Sequence, residues 1–345
     1  MKKENIKKRE SNLELLRIFA MIMIVFHHFA VYGNFNFDTS NISINLIWHI
    51  FILMGGKIGV NIFVLISGYF LVKEKEIKLD FKHILKFILQ VLFYSVTLYT
   101  LYIVITKEQV ELQNIKKVFF PITFKKWWFV TYYFILYLFH PFINKVLINL
   151  SKKEYKSLLI ILITCFSIIP TFINKSFSVD NLVWFITLYC LAGYIKIYGF
   201  PEKIKNRHYF LSLLGLVIIN FLMVAFYTTV YETYMQHKLT TLLISISIFM
   251  LFKNLKIKNN KLINQIASAT FGVYLIHDNS FIRCILWQDL LKTASFQHTN
   301  IFIPYTIMAC AWVYISCTII ELLRKKYIEK PTLTIIDNIS QRRIK

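Results

Sequence analysis

The sequence predicts an all-α, polytopic membrane protein with about ten transmembrane helices and both termini cytoplasmic. Three observations lead to this fold class. Hydrophobic residues make up 57% of the 345 residues, more than the roughly half that is usual in soluble domains. They gather in runs close to the twenty residues that cross a bilayer. Lysine and arginine gather in alternate loops between these runs, as they do on the cytoplasmic side of membrane proteins.

The apolar runs define ten segments in chain order. They cover roughly 12–31, 44–72, 83–106, 127–148, 157–174, 181–198, 208–229, 238–253, 265–287 and 300–323. The second segment is too long for one straight crossing and contains Gly55-Gly56-Lys57, so we expect a broken helix or a re-entrant entry there. The ninth segment is the most polar, because it includes His277 and Asp278.

The loop charges predict the orientation of the chain. With the N-terminus inside, 28 basic residues fall in inside segments and nine fall in outside loops, which is the expected bias. The loop Lys107–Lys126 is the exception, with five lysines on the outside. It is also the longest outside loop, so we expect it to be able to fold over the outer mouth. The net charge of +22 therefore indicates membrane topology and excludes a nucleic-acid partner.

One membrane domain is expected, over residues 12–326. A basic cytoplasmic segment precedes it (1–11), and a short cytoplasmic tail follows it (327–345) that is too short to fold alone. The first apolar run lacks a small-residue cleavage site, so we expect a retained helix. The five cysteines lie in or beside apolar runs without metal-ligand spacing, which predicts core residues and no metal site. No bound cofactor is expected.

Ionisable side chains in the first segment predict a functional site. Arg17 and His28 are eleven residues apart, which places them on one helix face about 16 Å apart along the axis. Glu14 precedes Arg17 by three residues and can pair with it. The polar stripe therefore runs from one membrane surface toward the middle, and Arg17 could hold a phosphate or snorkel to lipid headgroups. His27 points about 80° away and is expected to be structural.

A neutral membrane histidine can act as general base toward a hydroxyl or as nucleophile toward a thioester, so His28 is the main catalytic candidate. A simple interhelical hydrogen bond is the alternative role. His277 is a candidate partner for the acceptor or the acyl group. Ser67 is more typical of an interhelical hydrogen bond than of catalysis. Trp128 begins an aromatic stretch at the outer interface, where belts of Trp and Tyr occur and sugar rings can stack.

These motifs resemble, in order and spacing, the integral membrane acyltransferase family 3, whose members O-acetylate cell-envelope polysaccharides. The first helix of that family has an acidic residue, an arginine three residues later and a histidine after ten more, matching Glu14, Arg17 and His28. Further matches are Gly59, Val60, Phe63, Ser67, Gly68, Tyr69, Trp128, Tyr137, Pro141, Tyr274, His277 and the YIEKP stretch at 327–331. The resemblance covers about residues 11–331.

The resemblance implies an O-acetyltransferase of the cell membrane. Its donor would be acetyl-CoA, used as a substrate, and its acceptor a hydroxyl of a cell-surface glycan or its lipid-linked precursor. Glu14 joins His28 in the catalytic group. Arginines that members carry after the Ser-Gly-Tyr helix are replaced here by Lys82, His83 and Lys86, which with Arg17 form the expected donor-binding set. His277, Ser67, Trp128 and Tyr137 are expected to position the acceptor.

Two other functions fit a basic polytopic protein. A flippase for lipid-linked oligosaccharide usually has more spans and internal symmetry, and the sequence has no evident repeat. A polysaccharide polymerase predicts a large outer loop, whereas the loop Lys107–Lys126 is modest in size. The expected partners are thus acetyl-CoA, a glycan acceptor and membrane lipid.

Overall fold

The described residues form helices joined by turns and contain no β-strand. The structure is a computed structural model that describes residues 9–38, 42–72, 77, 79–173, 179–200, 203–226 and 235–342. In chain order the α-helices are α1 (Ser11–Tyr32), α2 (Ile44–Leu71), α3 (Phe81–Thr106), α4 (Leu112–Phe119), α5 (Trp128–Asn149), α6 (Lys152–Ile163), α7 (Ile169–Phe172), α8 (Asn181–Tyr198), α9 (Asn206–Phe226), α10 (Leu239–Lys253), α11 (Lys261–Ala267), α12 (Thr270–His277), α13 (Phe302–Arg324) and α14 (Lys330–Arg342). Turns of π-helix occupy Thr164–Ile168, Ile285–Leu290 and Lys325–Glu329, and Thr293–Phe296 is a 3₁₀-helix.

Six helical spans of the described chain are long and apolar enough to cross a membrane. They are Ser11–Tyr32, Ile44–Leu71, Phe81–Thr106, Lys152–Phe172, Asn181–Tyr198 and Phe302–Asn338. Two shorter apolar helices, Asn206–Leu222 and Leu239–Lys253, add to them. The chain is thus an all-α, multi-pass membrane protein.

The chain divides into two compact units. The first contains Met1–His27, Asp38–Lys78 and Tyr132–Ser268, and the second contains His28–Phe37, Leu79–Thr131 and Ala269–Lys345. The boundary between them falls inside α1, between His27 and His28, and inside α5, between Thr131 and Tyr132.

In the first unit, α2 is one unbroken helix of 28 residues, so the break expected at Gly55-Gly56-Lys57 is wrong. The glycines instead let α1 and α2 approach closely, as small residues do between membrane helices. A Cβ atom at Gly59 would lie 2.7 Å from the carbonyl oxygen of Ala20, and one at Gly56 would overlap the ring of His27. The excess length of α2 is therefore helix, without a re-entrant turn.

The expected ninth segment (265–287) is not one helix. The chain forms α11 at the end of the first unit, and α12 and a π-helical turn at Ile285–Leu290 in the second unit. The side chain of Asn279 accepts a hydrogen bond from the backbone N–H of Phe281 (2.9 Å). Such an Asx turn competes with helical hydrogen bonds, so α12 ends at His277 and the chain turns at once.

The last long helix continues past the point where the sequence placed a tail. A π-helical turn, Lys325–Glu329, connects α13 to α14, and Lys82 of α3 pairs with Asp337 of α14 (2.7 Å). Arg324, at the end of α13, lies near the rings of Phe93 and Tyr94. Because the later residue Asp337 contacts the earlier residue Lys82, α3 runs antiparallel to α13 and α14. Residues 327–338 accordingly pack beside the first half of α3. The described residues exclude two parts of the expected terminal segments. These are residues 1–8 of the N-terminal segment and residues 343–345 of the tail.

Candidate active site

The second unit holds six of the residues that the sequence singled out. They are His28, Lys82, His83, Lys86, Trp128 and His277. Glu14, Arg17, Ser67 and Tyr137 belong to the first unit. Of the second-unit residues, the structure brings His28 and His277 into direct contact.

His28 and His277 form a buried pair. The Nδ1 atom of His28 lies 2.8 Å from the Nε2 atom of His277, although the two residues are 249 positions apart. The exposed fractions of the two residues are 8% and 0%. The last turns of α1 supply His28, and the last turn of α12 supplies His277. Two helix ends therefore hold two imidazole rings together away from water.

The hydrogen bonds assign the tautomers of both rings. The Nδ1 atom of His277 lies 2.6 Å from the carbonyl oxygen of Val273, which can only accept, so this Nδ1 carries a proton. In the neutral ring, Nε2 of His277 is then an acceptor, and Nδ1 of His28 donates to it. The lone pair of a neutral His28 consequently sits on Nε2, which is the arrangement of a general base.

A carboxylate faces the basic nitrogen of His28. The Nε2 atom of His28 lies 3.7 Å from Oδ1 of Asp278, a buried residue that directly follows His277. This separation is longer than a hydrogen bond, but it is short enough for the carboxylate to stabilise a positive charge on the ring. Asp278 had no role in the sequence-based site. The turn at Asn279, which orients it, was not recognised from the sequence.

Arg283, Tyr32 and Tyr274 complete the surroundings of Asp278. The Nη1 atom of Arg283 donates to the hydroxyl of Tyr32 (2.9 Å) and lies 3.8 Å from Oδ1 of Asp278. The guanidinium also stacks 4.3 Å from the centre of the Tyr32 ring. The Tyr32 and Tyr274 hydroxyls both interact with the Asp278 carboxylate. Asp278 is thus the negative centre of a compact polar cluster.

Glu14 and Arg17 pair as their spacing predicted. The Nη1 atom of Arg17 lies 3.0 Å from Oε2 of Glu14. By helix rise, His28 is about 26 Å from Ser11 but about 6 Å from Tyr32. His28 therefore lies in the last turns of α1. His27 contacts the Leu53 carbonyl oxygen through Nδ1 (2.6 Å) and so faces α2.

The expected donor-binding residues of α3 are engaged with carboxylates. Lys82 pairs with Asp337 (2.7 Å), and Lys86 pairs with Glu329 (2.7 Å). The backbone N–H of His83 donates to Asp80, the N-cap of α3 (3.0 Å). Both lysine side chains are at least one-third exposed, so these ion pairs can exchange with other anions.

The remaining candidates have structural contacts. The Ser67 hydroxyl donates to the Phe63 carbonyl oxygen within α2 (2.9 Å). Trp128 packs edge to face on Phe129 (6.2 Å between ring centres), and Tyr137 is buried beside His140. None of these contacts among the described residues includes His28.

A second buried polar cluster in this unit was missed from the sequence. Glu321 of α13 is fully buried and accepts hydrogen bonds from Gln90 (3.0 Å), Tyr94 (2.7 Å) and Arg324 (2.8 Å). A Cβ atom at Gly272 of α12 would lie 2.5 Å from the carboxylate carbon of Glu321. Glu321 is the one acidic residue in the apolar run 300–323, a signal that could have identified it.

A groove of about 320 Å³ lies between α3 and the α13–α14 helix. Lys86, Arg324 and Glu329 are its charged residues, and its walls are largely apolar. The apolar side chains along α3 are Leu89, Leu92, Phe93 and Val96. The groove thus combines a charged rim with a hydrophobic slot.

Comparison with known families assigns the chain to a class of enzyme. The family model for the acyltransferase domain of acyltransferase family 3 matches residues 10–322, which is most of the chain. The chain belongs to this acyltransferase family. No curated protein and no solved structure matches the chain. The family match includes the first-helix residues and both members of the His28–His277 pair.

Family membership confirms the resemblance drawn from the motifs. It supports a membrane acyltransferase and speaks against the non-enzymatic flippase and the polymerase. The activity of this family is acyl transfer to a nucleophile, and the described residues of the second unit include the buried His28–His277–Asp278 cluster.

Proposed function

We propose that the chain is a cell-membrane O-acetyltransferase that moves an acetyl group from acetyl-CoA to a hydroxyl of a cell-surface polysaccharide or its lipid-linked precursor. The observation that supports it most is the hydrogen bond between His28 and His277. This bond leaves the lone pair of His28 on Nε2, beside the Asp278 carboxylate. Within acyltransferase family 3, such a base would serve to deprotonate an acceptor hydroxyl.

In the proposed reaction, Nε2 of His28 takes the proton of the acceptor hydroxyl while the oxygen attacks the thioester carbonyl carbon. The C–O bond forms and the C–S bond breaks. The thiolate of CoA leaves and takes the proton back from the imidazolium of His28. Asp278 stabilises that imidazolium, and His277 keeps the ring in the required orientation. Direct acylation of His28 is the alternative path for the same atoms.

Arg17, Lys82, His83 and Lys86 are proposed to bind the donor. Acetyl-CoA carries several phosphate groups, and basic side chains bind phosphate by charge-assisted hydrogen bonds. Since Lys82 and Lys86 pair with Asp337 and Glu329, the donor would exchange with these carboxylates. The groove beside Lys86 supports this assignment, because anionic groups fit its rim and the thioester arm fits its apolar walls.

His277, Ser67, Trp128 and Tyr137 are proposed to position the acceptor, His277 acting through His28. Glu14 would act through Arg17 by holding its guanidinium. This assignment makes Glu14 a positioning residue in the proposed catalytic group.

The proposal is tested with purified full-length protein in detergent or nanodiscs. CoA release from acetyl-CoA should depend on an added glycan with free hydroxyls, and acetyl ester should accumulate on the glycan in equal amount. Glycan binding without CoA release would instead favour a transport function. Release of CoA with a different acyl donor, but not with acetyl-CoA, would correct the donor alone.

A further inference from the structure

The lysine-rich loop before α5 is the one exception to the charge bias of the sequence. Residues 107–126 contain five lysines and two glutamates, on the side that the loop charges make external. Positive charge is normally depleted there. A specific contact of this loop with an anion would account for the exception.

The loop is held against α3 by defined contacts. The Ser95 hydroxyl of α3 donates to the carbonyl oxygen of Val118 in α4 (2.7 Å), and Nζ of Lys126 donates to the same Ser95 oxygen (3.2 Å). Val118 is buried. Lys126 therefore has a fixed position in the second unit, unlike a lysine at the end of a free loop.

Lys126 lies beside the segment that carries Asp278. Its Nζ atom is 4.3 Å from the centre of the Phe281 ring. Phe281 is three residues after Asp278 and two before Arg283, and the side chain of Arg283 is 34% exposed. The turn after α12 thus presents Arg283 and the Phe281–Lys126 pair on the same short stretch as the carboxylate that faces His28.

This region has more donors than acceptors. Within the described part of the chain, no carboxylate pairs with Lys126 within 4.0 Å, and Asp278 is the one carboxylate paired with Arg283. The indole N–H of Trp127, next to Lys126, is buried and has no acceptor among the described residues. A further carboxylate, Glu108, is exposed and accepts a hydrogen bond from Tyr102 (2.6 Å). Among the buried and half-buried groups, Lys126 and Arg283 are two cations beside one carboxylate, Asp278, and this excess of positive charge favours an anionic ligand.

Aromatic rings frame the same cations. Phe281 packs on Tyr99 (4.8 Å) and Tyr102 (5.2 Å) between ring centres, and Tyr32 lies under Arg283. Rings of this kind present flat apolar faces beside polar tips. Sugar rings have apolar faces as well, so the cluster combines contacts for a sugar with contacts for a charge.

We propose that Lys126 and Arg283 form a subsite for a negatively charged glycan, so that the acceptor carries a carboxylate or a phosphodiester near the hydroxyl that is acetylated. This inference rests on the proposed function, and it names the class of acceptor. Membrane headgroups fit the cluster less well. Lys116 and Lys117 of α4 are exposed and suit headgroups, whereas Lys126 is half-buried among rings.

The test measures binding of two probes of equal length, fluorescent oligogalacturonate and its methyl ester, which differ in charge. Full-length protein and its His28→Ala variant are used in nanodiscs of phosphatidylcholine at pH 6, below the pKa of about 7 that burial gives Lys126, so that its ammonium group is charged. Both proteins should bind the charged probe about tenfold or more tightly than the ester, and added salt should reduce the difference. Equal affinity for the two probes would overturn the proposal.

Charge variants locate the subsite. Lys126→Gln and Arg283→Gln should each weaken binding of the charged probe about tenfold, the size expected for one charge-assisted hydrogen bond, and leave the ester unchanged. Arg283→Lys and Lys126→Arg should keep most of the preference, which guards against a folding defect. Lys117→Gln is the matched control on the same loop. A loss of affinity for the charged probe in Lys117→Gln as large as that in Lys126→Gln would contradict a local subsite.

Two further measurements separate this inference from its alternatives. Nanodiscs containing phosphatidylglycerol should not compete with the charged probe; full competition would assign the cluster to lipid headgroups. Because binding to His28→Ala needs no turnover, its charge preference is measured independently of the reaction. Absence of acetyl transfer by the unmodified protein, together with a normal charge preference in binding, would reject the proposed reaction alone. If the protein transfers acetyl groups to glycans but binds the charged probe and its ester equally, the anionic subsite alone would be rejected.

Discussion

The imidazole of His28 donates from Nδ1 to Nε2 of His277 over 2.8 Å, and Nδ1 of His277 is itself held by the Val273 carbonyl oxygen. This chain of two hydrogen bonds runs from the backbone of α12 to the last turns of α1. It fixes which nitrogen of His28 can accept a proton, so the backbone of one helix determines the chemistry available on another.

Replacement of His28 tests the proposed base. We expect His28→Ala to lower kcat for glycan acetylation by at least about 100-fold, the usual contribution of a general base. The neighbouring His27→Asn variant is the control, since its amide can still donate to the Leu53 carbonyl oxygen. Transfer rates, together with the amount of folded protein in the membrane, are the measurement. Normal acetylation by His28→Ala would exclude this mechanism.

His277 should act by orienting His28. In His277→Leu no acceptor remains for Nδ1 of His28, so we expect kcat to fall about 10- to 100-fold with little change in KM for acetyl-CoA. His277→Gln can supply an amide oxygen as acceptor and should recover part of the rate. If the leucine and glutamine variants have the same kcat, the hydrogen bond is not the cause.

Gly272 should tolerate no larger side chain. A Cβ atom there would overlap the buried carboxylate of Glu321, so Gly272→Ala should lower the free energy of unfolding by about 1–3 kcal/mol, as overpacking does. Gly215 of α9 is the matched control, because a Cβ atom added there would have no atom of the described residues within 4 Å. Gly215→Ala should leave the melting temperature unchanged or raise it. Equal melting temperatures of the two variants would contradict the close contact.

Lys126 should make stability depend on pH. Burial lowers the pKa of the Lys126 ammonium group from 10.5 to about 7. Below pH 7 the ammonium group is charged in both the folded and the unfolded protein, so folding bears the whole cost of burying the charge. Above pH 10.5 the group is neutral in both the folded and the unfolded protein. Stability should therefore rise between pH 7 and pH 10.5. The described residues that contact the Lys126 ammonium group are Ser95, Trp127 and Phe281, and none of them carries a charge that would offset the cost of burial.

Comparison with Lys126→Met isolates this effect. The melting temperature of the unmodified protein, relative to the variant, should increase as pH is raised from 7 to 10. A constant difference over this range would show that the pKa of Lys126 is not lowered. Lys117→Met, at an exposed site of α4, removes the same kind of group and should show no such trend.

The side-chain pairing within the first helix was predictable because it depends only on residues close together in the sequence. The spacing of Glu14, Arg17 and His28 needs only the helical repeat, and the ion pair of Glu14 with Arg17 follows from it. The contact of His28 with His277 joins residues 249 positions apart, and local periodicity carries no information on such pairs. The motif resemblance named both histidines, but it gave no geometry.

Two features of the fold were misjudged for physical reasons. Gly55 and Gly56 were interpreted as a helix break, yet the same residue type also permits close helix packing, and only the neighbouring α1 decides between these roles. The ninth segment was interpreted as a helix by its hydropathy. Its end is determined by one side chain, Asn279, whose hydrogen bond to Phe281 outweighs the helical pattern.

The pairing of Glu321 with Arg324 has a consequence for biogenesis. The two residues are three positions apart on α13 and in contact, and Glu14 and Arg17 repeat the arrangement on α1. Each helix therefore carries its counter-charge with it and can leave the insertion machinery with these two charges already compensated. Lateral partitioning into lipid then need not wait for later helices, and Gln90 and Tyr94 can join Glu321 once α13 meets α3.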